Sequence, residues 1–179
     1  MKFDDPVVTG LVEAIRAQYA LDWNGIHGIS HWARVWENGM RIAKETGANT
    51  KVVGYFALFH DARRCNDGVD PEHGKRGAEL ATQWRGQLLE LSDEDFDLLC
   101  VACAHHTDGT TEGDNTVQTC WDADRLDLGR VGIWPAPDRL CTDTARQEDV
   151  MAWANERACR EATNPLLAES WVSYAGHQG

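Results

Sequence analysis

No stretch of this 179-residue chain is apolar for long enough to cross a bilayer as a helix, which takes about 20 consecutive residues. Basic charge is scarce too. Lys and Arg number 17 against 29 Asp and Glu, for a net charge of -12. Such a field repels phosphate backbones and anionic lipid, so nucleic acid and the membrane surface are disfavoured as partners. The opening Met1-Lys2-Phe3-Asp4-Asp5-Pro6 has no positive segment leading into an apolar one. No signal peptide is therefore evident, and a cytoplasmic location is the default expectation. Strand-type alternation, internal repeats, low-complexity segments and linkers are missing as well. The six cysteines (Cys65, Cys100, Cys103, Cys120, Cys141, Cys159) are scattered. Cys100-x-x-Cys103 has no second pair at zinc-finger spacing, so buried small hydrophobes are the favoured reading.

What remains is helical period, nearly end to end. With 42% hydrophobic residues and a mean hydropathy of -0.47, the chain reads as soluble and globular. Its length suits one domain over residues 1–179, burying roughly 70% of the unfolded surface. Pro6 opens a helix to about Ala20, with Leu11, Ile15 and Tyr19 on one stripe. Ser30 reads as the N-cap of a helix from His31 to about Thr46, with Gly47 as its stop. Further helices are expected at about Thr50–Arg63, His73–Trp84, from Ser92 through Cys103 to the doublet His105-His106, and Val117–Leu128. Gly132 to Pro137 must be irregular, a last amphipathic helix covers about Thr144–Ala162, and the tail 170–179 is weakly specified.

The run Phe56-Ala57-Leu58-Phe59-His60-Asp61-Ala62-Arg63-Arg64 stands out. Val52, Val53, Phe56, Ala57 and Phe59 describe a helix buried on most of its circumference, yet it finishes on one imidazole and one carboxylate. An ionised aspartate there is costly unless something positive sits against it. A metal ion meets that need, with the neighbouring histidine as a second ligand. The alternative is an ordinary ion pair with Arg63 or Arg64. Other inward stripes also carry polar groups: His31 and Asn38 beside Val35 and Ile42, and Asp124 beside Val117, Trp121 and Leu128. Helical bundles commonly build metal sites from such side chains on facing helices.

The order His31, then His60-Asp61, then a distant Asp124 resembles the signature of the HD superfamily of metal-dependent phosphohydrolases. Ser30-His31-Trp32-Ala33-Arg34-Val35 resembles its first histidine helix, Leu58-Phe59-His60-Asp61 its central doublet, and Asp122-Ala123-Asp124-Arg125-Leu126-Asp127 its last word. The resemblance covers roughly Asp22 to Gly132. It implies an all-α HD-domain bundle in which His31, His60, Asp61 and Asp124 hold a divalent ion: Mn, Fe, Co, Ni or Zn, with room for a second. Asp122 lies on another face of its helix from Asp124, so only one of the two ligates.

His73, His105 and His106 are the candidates for a second ion or for catalysis. His73 in His-Gly-x-x-Gly-Ala and His105 in His-His-x-Asp-Gly look like the positions that bind the second ion in two-metal HD proteins, where Asp61 bridges. A positioned general acid or phosphate donor beside one metal is the alternative for both. His106 reads as a support behind the ligands. Gly109 is followed by Thr110-Thr111, so the Gly-Tyr-Pro of the cyclic-di-GMP hydrolases is absent. His27 is a pocket histidine or a turn residue, and His177 a solvated tail residue.

The expected reaction is hydrolysis of a phosphoester of a nucleotide or another small phosphorylated metabolite by metal-activated water. Arg34, Arg64, Lys75, Arg76 and Arg125 lie in or beside the motif words as candidate phosphate donors, or else neutralise nearby aspartates. An HD-type di-iron oxygenase and a non-catalytic regulatory module are the competing readings. The eight tryptophans suit an oligomer interface or a pocket lining.

Overall fold

A computed structural model describes residues 6–161. The expectations for the tail 170–179, His177 included, and for residue 162 fall outside that range. Among the described residues seven α-helices follow one another: α1 (Pro6–Arg16), α2 (Ile29–Thr46), α3 (Thr50–Phe59), α4 (His73–Trp84), α5 (Asp93–His105), α6 (Asn115–Arg125) and α7 (Glu148–Glu161). Short 3-10 turns at Leu128–Val131 and Pro137–Arg139 join the last two. Among the described residues the only extended pairing is an isolated bridge between Arg85 and Leu89. The all-α expectation is met.

Helix α3 is the centre of the bundle. Residues Val52 to Phe59 are all buried, and α2, α4, α5 and α6 pack around them. The continuous apolar surface that marked this stretch in the sequence is a consequence of neighbours on every side. Asn49 caps its start by accepting the amides of Lys51 and Val52. Gly47 ends α2 with φ 71 and returns its amide to Ala43 O, as its sequence position foretells. Ser92 caps α5 through the Asp95 amide.

Several boundaries differ from expectation. The cap of α2 is Gly28 rather than Ser30. The Ile29 amide bonds to Trp23 O, and a Cβ on Gly28 would lie 2.0 Å from that same oxygen. Helix α1 stops at Arg16, where tighter turns follow and the Tyr19 hydroxyl donates to His27 O across 2.8 Å. Helix α3 ends at Phe59, and His60 to Arg63 continue as turns. Asp114 caps α6 two residues early through the Thr116 amide. Thr142 turns the chain before α7, so that helix starts at Glu148 rather than near Thr144.

Helix α7 closes the far side of α2. Trp153 is held between the guanidinium groups of Arg41 and Arg157, 4.5 and 4.4 Å from its ring. Arg157 also reaches Asn38 Oδ1, whose amide in turn donates to Ala123 O. The asparagine on the inward stripe of α2 is thus a buried link between α2, α6 and α7.

Helix α4 approaches so closely that two of its positions tolerate no side chain. A Cβ on Gly77 would lie 2.2 Å from Phe59 O, and one on Gly74 would lie 2.2 Å from Cys103 O. These glycines seat the start of α4 against the ends of α3 and α5. Gly77→Ala is expected to cost roughly 1–3 kcal/mol, lowering Tm by about 3–10 °C for a chain of this size. Gly10→Ala in α1, where a Cβ meets nothing within 4 Å, makes the same chemical change. It is expected to stabilise by about 0.4–1 kcal/mol. Thermal melts of the two variants check the opposite signs.

Candidate metal centre

Helix ends converge at one point. The first turn of α2 supplies His31, the turn after α3 supplies His60 and Asp61, and the start of α4 supplies His73. The ends of α5 and α6 supply His106 and Asp124. Three of these ends are C-terminal, where unpaired carbonyls and the helix dipole favour a cation.

Two groups form there. His31 Nε2, His60 Nε2 and a carboxylate oxygen of Asp124 make the first, and Asp61, His73 Nε2 and His106 Nε2 the second. Asp61 faces both. Its Oδ2 lies 3.6 and 3.7 Å from the Nε2 atoms of His31 and His60, and its Oδ1 lies 3.1 and 3.8 Å from those of His73 and His106. Asp124 Oδ1 is 3.4 and 3.9 Å from His31 and His60. The Asp124 side chain is 18% exposed, whereas those of His31 and His60 are at 0%. The cluster opens on the Asp124 side.

The chemistry of these donors fits a divalent ion. Each of the four imidazoles has an acceptor at Nδ1. His31 donates to Asp127 Oδ2 (2.7 Å), His60 to Phe56 O and Ala57 O (both 3.2 Å), His106 to Cys103 O (2.7 Å), and His73 to Asp70 O. Carbonyls and carboxylates cannot donate, so Nδ1 carries the proton and, in the neutral ring, Nε2 presents a lone pair. Burial pushes the His31 pKa well below its ordinary value and that of His106 down to about 4, so both are neutral at physiological pH. Yet His31 Nε2 stands 3.0 Å from His60 Nε2, and His73 Nε2 stands 2.9 Å from His106 Nε2. Facing lone pairs repel unless a cation lies between them. Two nitrogens about 2.0–2.1 Å from one ion, at tetrahedral or octahedral angles, stand about 2.9–3.4 Å apart.

Asp61 is the electrostatic pivot. Burial alone would raise its pKa, but the imidazoles of His60, His27, His73 and His31 hold it well below the carboxylate range. Its carboxylate in turn lifts His73 above the usual imidazole value, against the effect of burial. The His27 Nδ1 atom lies 2.9 Å from Asp61 Oδ2, which places His27 against the cluster.

His105 and most of the basic candidates lie away from the two groups. His105 is turned outward, with a half-exposed side chain paired to Asp108, and His106 takes the place expected for it. Successive helical residues differ by about 100°, and in α5 it is His106, not His105, that has the inward phase. Position 106 continues the buried stripe of Leu99, Ala102 and Cys103, whereas 105 follows Val101, which is apolar yet exposed, so residue type alone did not give the phase. Among the proposed phosphate donors, Arg34 is buried and forks onto Asp127 at 2.6 and 3.1 Å. Lys75 pairs with Glu72 at the surface and Arg76 grips Asp70. Arg125 ties Thr110 O to Arg139 O. Only Arg64 of the five points into the cluster, 3.4 Å from Asp61 Oδ1. Asp122 accepts the amides of Cys141 and Thr142 and the Thr142 hydroxyl, fixing the loop ahead of α7.

Asp127 was not singled out in the sequence. It fixes the His31 tautomer and is held by Arg34, with Arg130 Nη1 3.7 Å away. Its signal was the three-residue step from Asp124, which keeps both on neighbouring faces.

A crystal structure described as a predicted HD superfamily hydrolase, from an uncultured Thermotogales bacterium, matches this fold with a TM-score of 0.65 and 27% sequence identity. The match covers 92% of this chain and 94% of that one. No family model matches the chain. No curated protein matches it. The fold is that of an HD domain, and the His/Asp groups described above are candidate binding positions for divalent metal.

Asp127→Asn keeps an acceptor but loses the charge that anchors His31 and neutralises buried Arg34. Metal affinity is expected to fall about 10–100-fold. Stability is expected to fall by about 3–5 kcal/mol. Calorimetric metal titration and urea melts check the two effects separately.

Proposed function

We propose, from an HD-domain fold whose imidazole lone pairs converge on one shared carboxylate, that the chain is a metal-dependent phosphohydrolase. Its substrate is a nucleotide or another small phosphorylated metabolite. The observation that carries this reading is Asp61, whose two oxygens face two separate groups of histidine nitrogens. His31, His60, Asp61 and Asp124 hold the first ion. Asp61, His73 and His106 form the second position. His105 has no part in either. A divalent ion so held supplies an acidified water and a Lewis acid for a phosphoryl oxygen.

The chain's own groups do the rest. Asp127 and the backbone carbonyls of Phe56, Ala57 and Cys103 keep the imidazoles in the ligating tautomer. His27 donates to Asp61 Oδ2 and orients the shared carboxylate. With a net charge of -12, the surface repels polyanions at long range, so a small substrate drawn in by a local positive centre is favoured. Free cysteines are consistent with a reducing, cytoplasmic setting.

The oxidative alternative draws on the same second group, because a di-iron site needs the extra histidines. Elemental analysis separates the two. Phosphate release with redox-inert metal supports the hydrolase, whereas two irons per chain without phosphatase activity support the oxygenase. In a screen over nucleotides and sugar phosphates, Asp61→Ala is expected to lose bound metal and at least 99% of phosphate release, with its helical circular dichroism retained. Full metal occupancy in that variant would sink the ligand assignment. His106→Ala is expected to impair activity at least tenfold, and His105→Ala by less than twofold.

A further inference from the structure

The Arg64 guanidinium is buried and gripped from two sides. Its outer edge donates to Gly68 O at 2.7 Å and Asn66 O at 3.2 Å, carbonyls of the loop that follows α3. Its inner nitrogen, Nη1, lies 3.2 Å from His73 Nε2 and 3.4 Å from Asp61 Oδ1. These are two of the three side chains of the second group.

We propose that Arg64 is an exchangeable internal cation that closes the second ion position. The chain then holds one ion at the His31–His60–Asp124 group and accepts a second only when the guanidinium swings out. This rests on the reading of both groups as metal positions.

Bond counting carries the proposal. A guanidinium can only donate. The Nδ1 atom of His73 faces Asp70 O, so an ion on this ring would have to take the Nε2 lone pair. Arg64 Nη1 stands 3.2 Å from that same atom, where an ion would have to sit. The two are mutually exclusive at His73. Asp61 Oδ1 has lone pairs to spare, but a dication and a guanidinium on one oxygen repel each other strongly in a buried site. Asp61 demands some positive charge on this side, and Arg64 meets that demand whenever no second ion is present.

The same loop holds both gate and ligand. Asn66 O and Gly68 O anchor Arg64, while Asp70 O anchors His73 and the Asp70 carboxylate accepts the Cys65 amide at 2.8 Å. Opening breaks two carbonyl contacts at an exposed tip, where Val69 is 92% exposed, and leaves the Asp70 anchor of His73 in place. The second ion is thereby coupled to the conformation of residues 64–70.

The test is titration of Mn2+ into the purified full chain, followed by calorimetry and by electron paramagnetic resonance, which detects a spin-coupled pair of ions. The wild type is expected to bind one Mn2+ tightly and a second at least tenfold more weakly. Arg64→Met keeps the length and removes the donors. It is expected to tighten the second ion at least tenfold, bring the coupled signal to lower Mn2+ concentration, and leave the first ion within threefold. Arg64→Gln, which still donates to one loop carbonyl, serves if Arg64→Met fails to fold by circular dichroism. Unchanged or weaker second-ion binding in a folded variant would overturn the gate and leave the metal centre standing. Absence of any Mn2+ binding in wild type and variants would instead overturn the underlying metal reading, and the gate with it.

Discussion

Each imidazole at the centre of this molecule commits its Nδ1 proton to a neighbour that can only accept. The neighbours differ: a buried carboxylate for His31, helix carbonyls for His60 and His106, a loop carbonyl for His73. The effect is the same in every case. The ring is fixed in rotation and in tautomer, and its Nε2 lone pair is aimed at a common interior. Around a buried Asp61, lone pairs at this spacing are unfavourable on their own and favourable around positive charge.

The bundle exists to hold that convergence. Helix α3 is enclosed by its neighbours, so the doublet at its end is delivered to the interior rather than to solvent. Gly74 and Gly77 let α4 rest on the backbone of α5 and α3, which carries His73 to His106 and Asp61. Behind the first group, His31, Asp127 and Arg34 form a buried charge-assisted chain. Asn38 fastens the same region to α6 and α7. Little of this polar interior is decoration; each member orients a neighbour that faces the site.

Much of this was legible in the sequence, for reasons that can be named. Helix existence follows from apolar period, and local stops such as Gly47 and caps such as Ser92 act through bonds within a few residues. What sequence misplaced depended on close backbone approaches and on distant partners. Ser30 looked like a cap because the approach of Trp23 to Gly28 is invisible in one dimension. The start of α7 is set by Asp122, which lies in another helix. The arginines looked alike as letters, yet Arg34 faces Asp127 across nearly the whole motif region and only Arg64 turns inward. The choice between His105 and His106 turned on the phase of α5, whose faces are both apolar in sequence and are told apart only by exposed Val101 and buried Cys103.

The donors lie on separate elements scattered from the start of α2 to the end of α6. No short stretch of the unfolded chain can reproduce their arrangement, so any ion they hold binds the folded state alone. Binding free energy is then folding free energy, rising as RT ln(1 + [L]/Kd), about 2.7 kcal/mol at a hundredfold excess over Kd. With an ion held there, a chelator would act on this molecule as a mild denaturant, and the abundance of the folded form would be tied to the free-metal level of its surroundings.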